Sequence, residues 1–156
     1  TKKTFPELSE ITYENSKNIT SSDNCPPENI TSCVMKVSYG NFDFFAGGDL
    51  QYNGRSSHAW KDAELPCAKA VGQVELLKAN HHGVTNTNQV DALKALNPQT
   101  IVVNSWVDCH PRTDILNSME TTLPACDMFI TNFWQGDRPS GVDDRVTAEE
   151  AARVKG

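Results

Sequence analysis

No stretch of this 156-residue chain is apolar for long enough to span a membrane, and its first residues lack the charged-then-apolar pattern of a secretory signal. Basic residues are scarce: 14 Lys and Arg stand against 20 Asp and Glu, a formal net charge of −6. That deficit argues against a broad nucleic-acid-binding face, because phosphate neutralisation needs clustered Lys and Arg. A metal site that takes a single phosphate remains open. No C-x-x-C pair occurs among the five cysteines at 25, 33, 67, 109 and 126, so a cysteine-rich zinc module is not expected. Cys25 and Cys33 flank a short loop and could pair in an oxidising compartment, while the odd count leaves at least one thiol free. The compartment itself stays open. A G-x-S-x-G elbow and a Gly-x-Gly phosphate loop are also absent, which leaves Ser/His/Asp chemistry with little support.

At 38% hydrophobic residues the chain can still form one globular domain with a core. Residues 1–32 are poor in periodic apolar positions and rich in Ser, Thr, Asn and Pro. They read as an irregular segment with one short strand near Ile11 to Tyr13. The N-x-T sequons at Asn18 and Asn29 read as chance occurrences there, unless the host is a secreting eukaryote. Order begins at Cys33: alternation predicts a strand to Tyr39, a hairpin turn at Gly40-Asn41 and a partner strand from Phe42 to Ala46. Gln51 to Trp60 reads as a polar loop, and Ala63 to Val71 as a helix kept short by Pro66 and Gly72. From Val74 a short apolar run, read as a buried strand, leads into Asn80-His81-His82-Gly83. Thr85 to Thr87 offer caps for a helix carrying Val90, Leu93 and Leu96, which Asn97-Pro98 stops. Thr100 to Ser105 predicts a strand, a helix with Ile115, Leu116, Met119 and Leu123 on one face follows, and Asp127 to Thr131 predicts the last strand. Thr147 to Glu150 has a capping-box pattern that opens a final helix. Together these elements predict a layered α/β domain with helices packed on a sheet.

Three strand ends carry polar residues, and open α/β sheets place ligands at the carboxyl ends of their strands. Asp49 follows two glycines. A carboxylate there can ligate one metal or bridge two, with Gly47 and Gly48 letting the backbone crowd a cation. On local sequence alone an ordinary turn is the better reading. Adjacent His81 and His82 diverge as the strand ends, so one can bind metal while the other contacts substrate or orients a ligand. With no H-x-x-x-H partner nearby, a polar turn is the simpler reading of that pair. His110 precedes Pro111 and a helix start, which suits a general acid or a phosphate contact, against a bland role in loop packing. His58 lies in the polar loop and is given no role. Residue by residue, the chemistry reaches an α/β domain with a metal or phosphate site.

Read together, these segments resemble a known family. They are Phe42 to Ala46 with Gly48-Asp49-Leu50, then Leu76 to Gly83, Ala92 to Pro98, Ile101 to Ser105 and His110-Pro111. The series resembles the C-terminal half of the metallo-β-lactamase fold, most closely the hydrolase domain of DNA-uptake proteins of the ComEC type. The likeness runs from Ser32 to Thr131. It implies an αββα sandwich of which residues 33–156 form only the C-terminal half-domain. It also implies a binuclear metal centre, commonly zinc, with two ions in the complete protein. By that resemblance Asp49 is the bridging carboxylate, and His82 is a ligand to the second metal, because the family's last ligand usually sits directly before a glycine. His81 then faces substrate, and His110 helps to hold or protonate it. A metal-activated water attacks a phosphorus or carbonyl centre, so the implied substrate is a phosphodiester or related ester, whether a small molecule or a nucleic acid.

The family's main ligand motif, H-x-H-x-D-H, occurs nowhere in these residues, and neither does the further histidine expected before Asp49. A catalytic zinc needs about three protein ligands. The resemblance therefore implies a piece of a longer protein whose missing N-terminal half supplies the other ligands, with this chain inactive by itself. Retention of Asp49, His82 and His110 together favours that over a protein that has lost its metal. An incomplete sandwich leaves one apolar sheet face uncovered, which predicts self-association or a partner there. The alternative is a non-catalytic binding or scaffold module that kept the sheet and lost the site. A third reading is a small domain whose histidines bind an anion without metal.

Overall fold

A β-hairpin sets one edge of a five-stranded sheet, and each later strand is added beside the one before it. The computed structural model describes residues 28–52, 62–105 and 110–132. In it, β1 (Met35–Tyr39) turns at Gly40 into β2 (Phe42–Ala46), and the two pair antiparallel. Helix α1 (Glu64–Val71) leads to β3 (Leu76–Lys78), α2 (Val90–Leu96) to β4 (Thr100–Val103), and α3 (Thr113–Thr122) to β5 (Asp127–Ile130). Strand order is β1-β2-β3-β4-β5, with every pair after the hairpin parallel. Crossovers of one hand that step steadily across a sheet put their helices on the same face. All three helices lie there.

That face carries the core. Phe45, Leu77, Ile101 and Met128 pair across four strands in one row, joined by Val103 and Ile130. Ala68 of α1, Ala92, Leu93 and Leu96 of α2, and Leu116 and Met119 of α3 close over them. A smaller cluster joins Ile30, Leu50, Ala63 and Cys67, so the chain just before Ser32 already belongs to the packed body. The other face is apolar and only half covered. Val37, Phe44 and Leu76 form one row on it, and Met35, Ala46, Lys78, Val102 and Phe129 the next. Met35 is 53% exposed, Val37 52% and Tyr39 86%. Among the described residues no second sheet covers that face.

The expected elements are present with local differences. Pro66 sits in the first turn of α1, where its missing N–H had no helical partner in any case. β3 is cut to three residues because the backbone leaves the ladder at Ala79. Thr85 to Thr87 do not cap α2. The Thr87 hydroxyl donates back to the Val84 carbonyl, and the Glu64 carboxylate takes the N–H groups of Asn88 and Gln89 instead. Asn97 ends α2, as Asn97-Pro98 predicts, but in a left-handed conformation rather than the extended one usual before proline. Cys33 carries a free, exposed thiol, and its expected partner Cys25 lies outside the described residues. Burial pushes the Cys67 thiol up to about 11, which suits a packed rather than a reactive cysteine. The strand near Ile11, the loop holding His58, the segment 106–109 and the helix at Thr147 also lie outside the described residues. No described helix is long and apolar enough to cross a membrane.

Candidate metal centre

Between the end of β3 and the start of α2 the chain must reverse, and it does so through a 3-10 turn, Asn80–Gly83. His81 has φ 42° and ψ 48°, His82 φ 56° and ψ 19°, and Gly83 φ 73°. Glycine adopts left-handed backbone freely, whereas each histidine there stores about 1–3 kcal/mol of strain. The neighbours hold the strain in place. His81 N–H donates to the Gly48 carbonyl at 3.1 Å, Val84 N–H to His81 O at 3.0 Å, and Arg112 N–H to Gly83 O at 3.0 Å. A Cβ on Gly83 would lie 3.1 Å from Pro111 Cβ, so turn and His110-Pro111 loop pack tightly.

Through this turn Asp49, His81, His82 and His110 meet at the C-terminal side of the sheet. The His81 ring lies 6.0 Å from that of His82 and 5.9 Å from that of His110, while His82 and His110 stack at 5.5 Å with 10° between planes. Asp49 Oδ1 is 3.7 Å from His82 Nε2. Gly48 stitches the two strand ends together: its carbonyl also accepts Lys78 Nζ at 2.9 Å. Asp49 N–H donates to the Ser32 hydroxyl at 3.2 Å. Burial pulls the Lys78 ammonium below its ordinary pKa, and nearby Asp49 works against that pull.

The glycines before Asp49 also make room for a side chain and a turn. A Cβ on Gly47 would lie 2.3 Å from Asn80 Oδ1, so Gly47 is there to let the Asn80 side chain in. Gly48 takes φ 62° to turn the chain. Gly47→Ala is expected to displace Asn80 and to destabilise the domain by about 1–3 kcal/mol, as overpacking does, which a thermal melt beside the wild type would show.

Hydrogen bonding separates the two histidines of the pair. His82 Nδ1 lies 2.5 Å from the carbonyl oxygen of Asn104, which can only accept, so Nδ1 carries a proton, and Nε2 is the ring nitrogen that faces Asp49. At His81 the roles reverse. The side-chain amides of Gln51 and Asn29 donate to its Nδ1 at 2.8 and 3.2 Å, which leaves the proton on Nε2. Burial holds the His81 pKa below its ordinary value, with Asp49 opposing, so the neutral ring is favoured.

Asp49 and His82 fit two donors of one ion. With legs of about 2 Å each, a carboxylate oxygen and an imidazole nitrogen on the same zinc lie about 3–4 Å apart. Among the described residues no group of three His, Cys, Asp or Glu is arranged to hold a metal ion, so further donors would have to come from outside them.

Behind the turn lies a polar network that sequence reading missed. Glu64, at the start of α1, is 1% exposed. Its Oε1 accepts Asn80 Nδ2 at 2.8 Å and Asn88 N–H at 2.5 Å, and its Oε2 accepts Gln89 N–H at 2.8 Å. Asn88 in turn pairs with the Asn80 backbone, accepting its N–H at 2.9 Å and donating to its carbonyl at 3.0 Å. Burial pushes Glu64 from 4.5 up to about 7, against the pull of its amide donors. The folded state therefore keeps a proton that the unfolded chain releases. Stability is expected to fall as pH rises from 4.5 to about 7 and then to level off. The total loss is about 3 kcal/mol. Urea unfolding across that range checks the slope, and Glu64→Gln should flatten it. Asn80 beside the histidine pair was the one hint in the sequence; Glu64 read only as a helix residue.

No protein-family model matches the chain, and no curated protein matches it in sequence.

Proposed function

We propose that this chain contributes part of the metal centre of a metal-dependent hydrolase with the metallo-β-lactamase fold, acting on a phosphodiester or a related ester. The observation that carries the reading is His82: its Nδ1–H is tied to the Asn104 carbonyl while its Nε2 faces Asp49 at 3.7 Å. Metal-ligating histidines commonly donate their other ring N–H to a carbonyl in this way. Asp49 and His82 would hold the metal. A divalent metal bound there would activate water and stabilise developing negative charge. His81, with its proton on Nε2, donates to an anionic substrate oxygen. His110, stacked on His82, flanks the same space and helps to hold or protonate the substrate.

Metal content tests the reading. The protein expressed from its full gene is expected to carry about two metal ions by plasma mass spectrometry, and this chain almost none. Absence of metal from both would overturn it. The uncovered apolar face, with Met35, Val37, Tyr39, Phe42 and Phe129 exposed, favours a second reading, a binding or scaffold module. Self-association through that face together with metal-free full-length protein would select the module.

A further inference from the structure

The strained histidine turn needs an anchor on each side, and the two anchors differ in kind. On the C-terminal side Gly83 is held by the Arg112 N–H and by contact with Pro111. On the N-terminal side Asn80 has both backbone groups bound to the Asn88 side chain, and its own side chain bound to Glu64. The Asn80 amide has only one way to face. Its Nδ2 must meet the carboxylate, which leaves Oδ1 buried against Gly47 with no hydrogen-bond partner. Reversing the amide would set two oxygens against each other. A buried oxygen left without a partner is unfavourable, so it persists only where something else dictates the orientation. Glu64 supplies that constraint, and it binds the Asn88 and Gln89 N–H groups with the same carboxylate, coupling the entry to α2 to the exit from β3.

We infer that Glu64, acting through Asn80 and Asn88, is a positioning residue that sets the ring orientations of His81 and His82, a role that rests on the metal-site reading for its purpose but not for its test. The carboxylate touches neither histidine. It fixes the backbone one residue before them, and so decides which partner each Nδ1 meets.

The test is histidine-ring nitrogen NMR on the metal-free chain, at a pH above the Glu64 transition. Wild type is expected to show His82 as the Nδ1–H tautomer and His81 as the Nε2–H tautomer. Glu64→Gln keeps the size but turns an amide N–H against the Gln89 N–H. Both rings should then move to mixed tautomers. Ile101→Val, a core change remote from the turn, should leave them unchanged. If Glu64→Gln does not fold, Asn80→Ala, which leaves Glu64 its bonds to Asn88 and Gln89, is expected to shift the rings in the same way. Rings unchanged in the folded variant, or shifted equally by Ile101→Val, would overturn the inference. Because no metal is present, the outcome is independent of whether the chain binds one. Where zinc does bind, Glu64→Gln should weaken it about tenfold or more.

Discussion

Truncating Glu64 to alanine is expected to remove about 3–5 kcal/mol of stability, a large share of what a small domain has. Three N–H donors, from Asn80, Asn88 and Gln89, lose their acceptor at once, and the first two are buried. Each stranded donor costs about 1–3 kcal/mol. Relief from burying a carboxylate offsets part of the sum, since burial already pushes Glu64 up to about 7. Urea denaturation of the variant and wild type measures the difference. Contrast Lys36, whose ion pair with Asp43 is short at 2.8 Å but lies at the sheet edge with both side chains about a third exposed. Its loss should cost little, because exposed pairs gain little over water. A Glu64→Ala effect no larger than that would show the network to be ornamental.

The second large effect concerns zinc. His82→Ala and Asp49→Ala are each expected to weaken zinc binding at least about 100-fold, and His81→Ala only by a small factor. Backbone conformation does not separate the two histidines: they are adjacent and both left-handed. Their partners separate them. The Asn104 carbonyl fixes a proton on His82 Nδ1 and frees Nε2, whereas the Gln51 and Asn29 amides occupy His81 Nδ1 and leave the proton on Nε2. A chelator competition assay on the three variants reads the order. Equal losses at His81 and His82 would mean that the hydrogen-bond argument assigns the wrong ligand.

Much of the fold was legible because apolar periodicity is local. The strand ending at Tyr39 reads from alternation, Phe42–Ala46 as its partner across a turn, and Asn97-Pro98 stops α2 because proline restricts the residue before it. The candidate site was legible only as separate pieces. Asp49, His81, His82 and His110 stood out as polar residues at strand ends, and the sheet topology then brought them together. What stayed hidden was non-local. Glu64 lies 16 residues from Asn80 and 24 from Asn88, and no spacing rule links a helix start to a strand exit. The packing role of Gly47 stayed hidden for the same reason: its close neighbour is Asn80, far along the chain. The caps expected of Thr85 to Thr87 did not form because α2 begins only at Val90, after a loop that a buried carboxylate from another element holds at Asn88 and Gln89.

The most direct test of the central claim is a zinc titration of the protein expressed from its full gene, followed at the histidine ring nitrogens. His82 Nε2 is expected to shift first, with Nδ1 still protonated, and Asp49→Ala to abolish the response. Zinc that moves His81 while leaving His82 untouched, or that moves none of these rings, would contradict it.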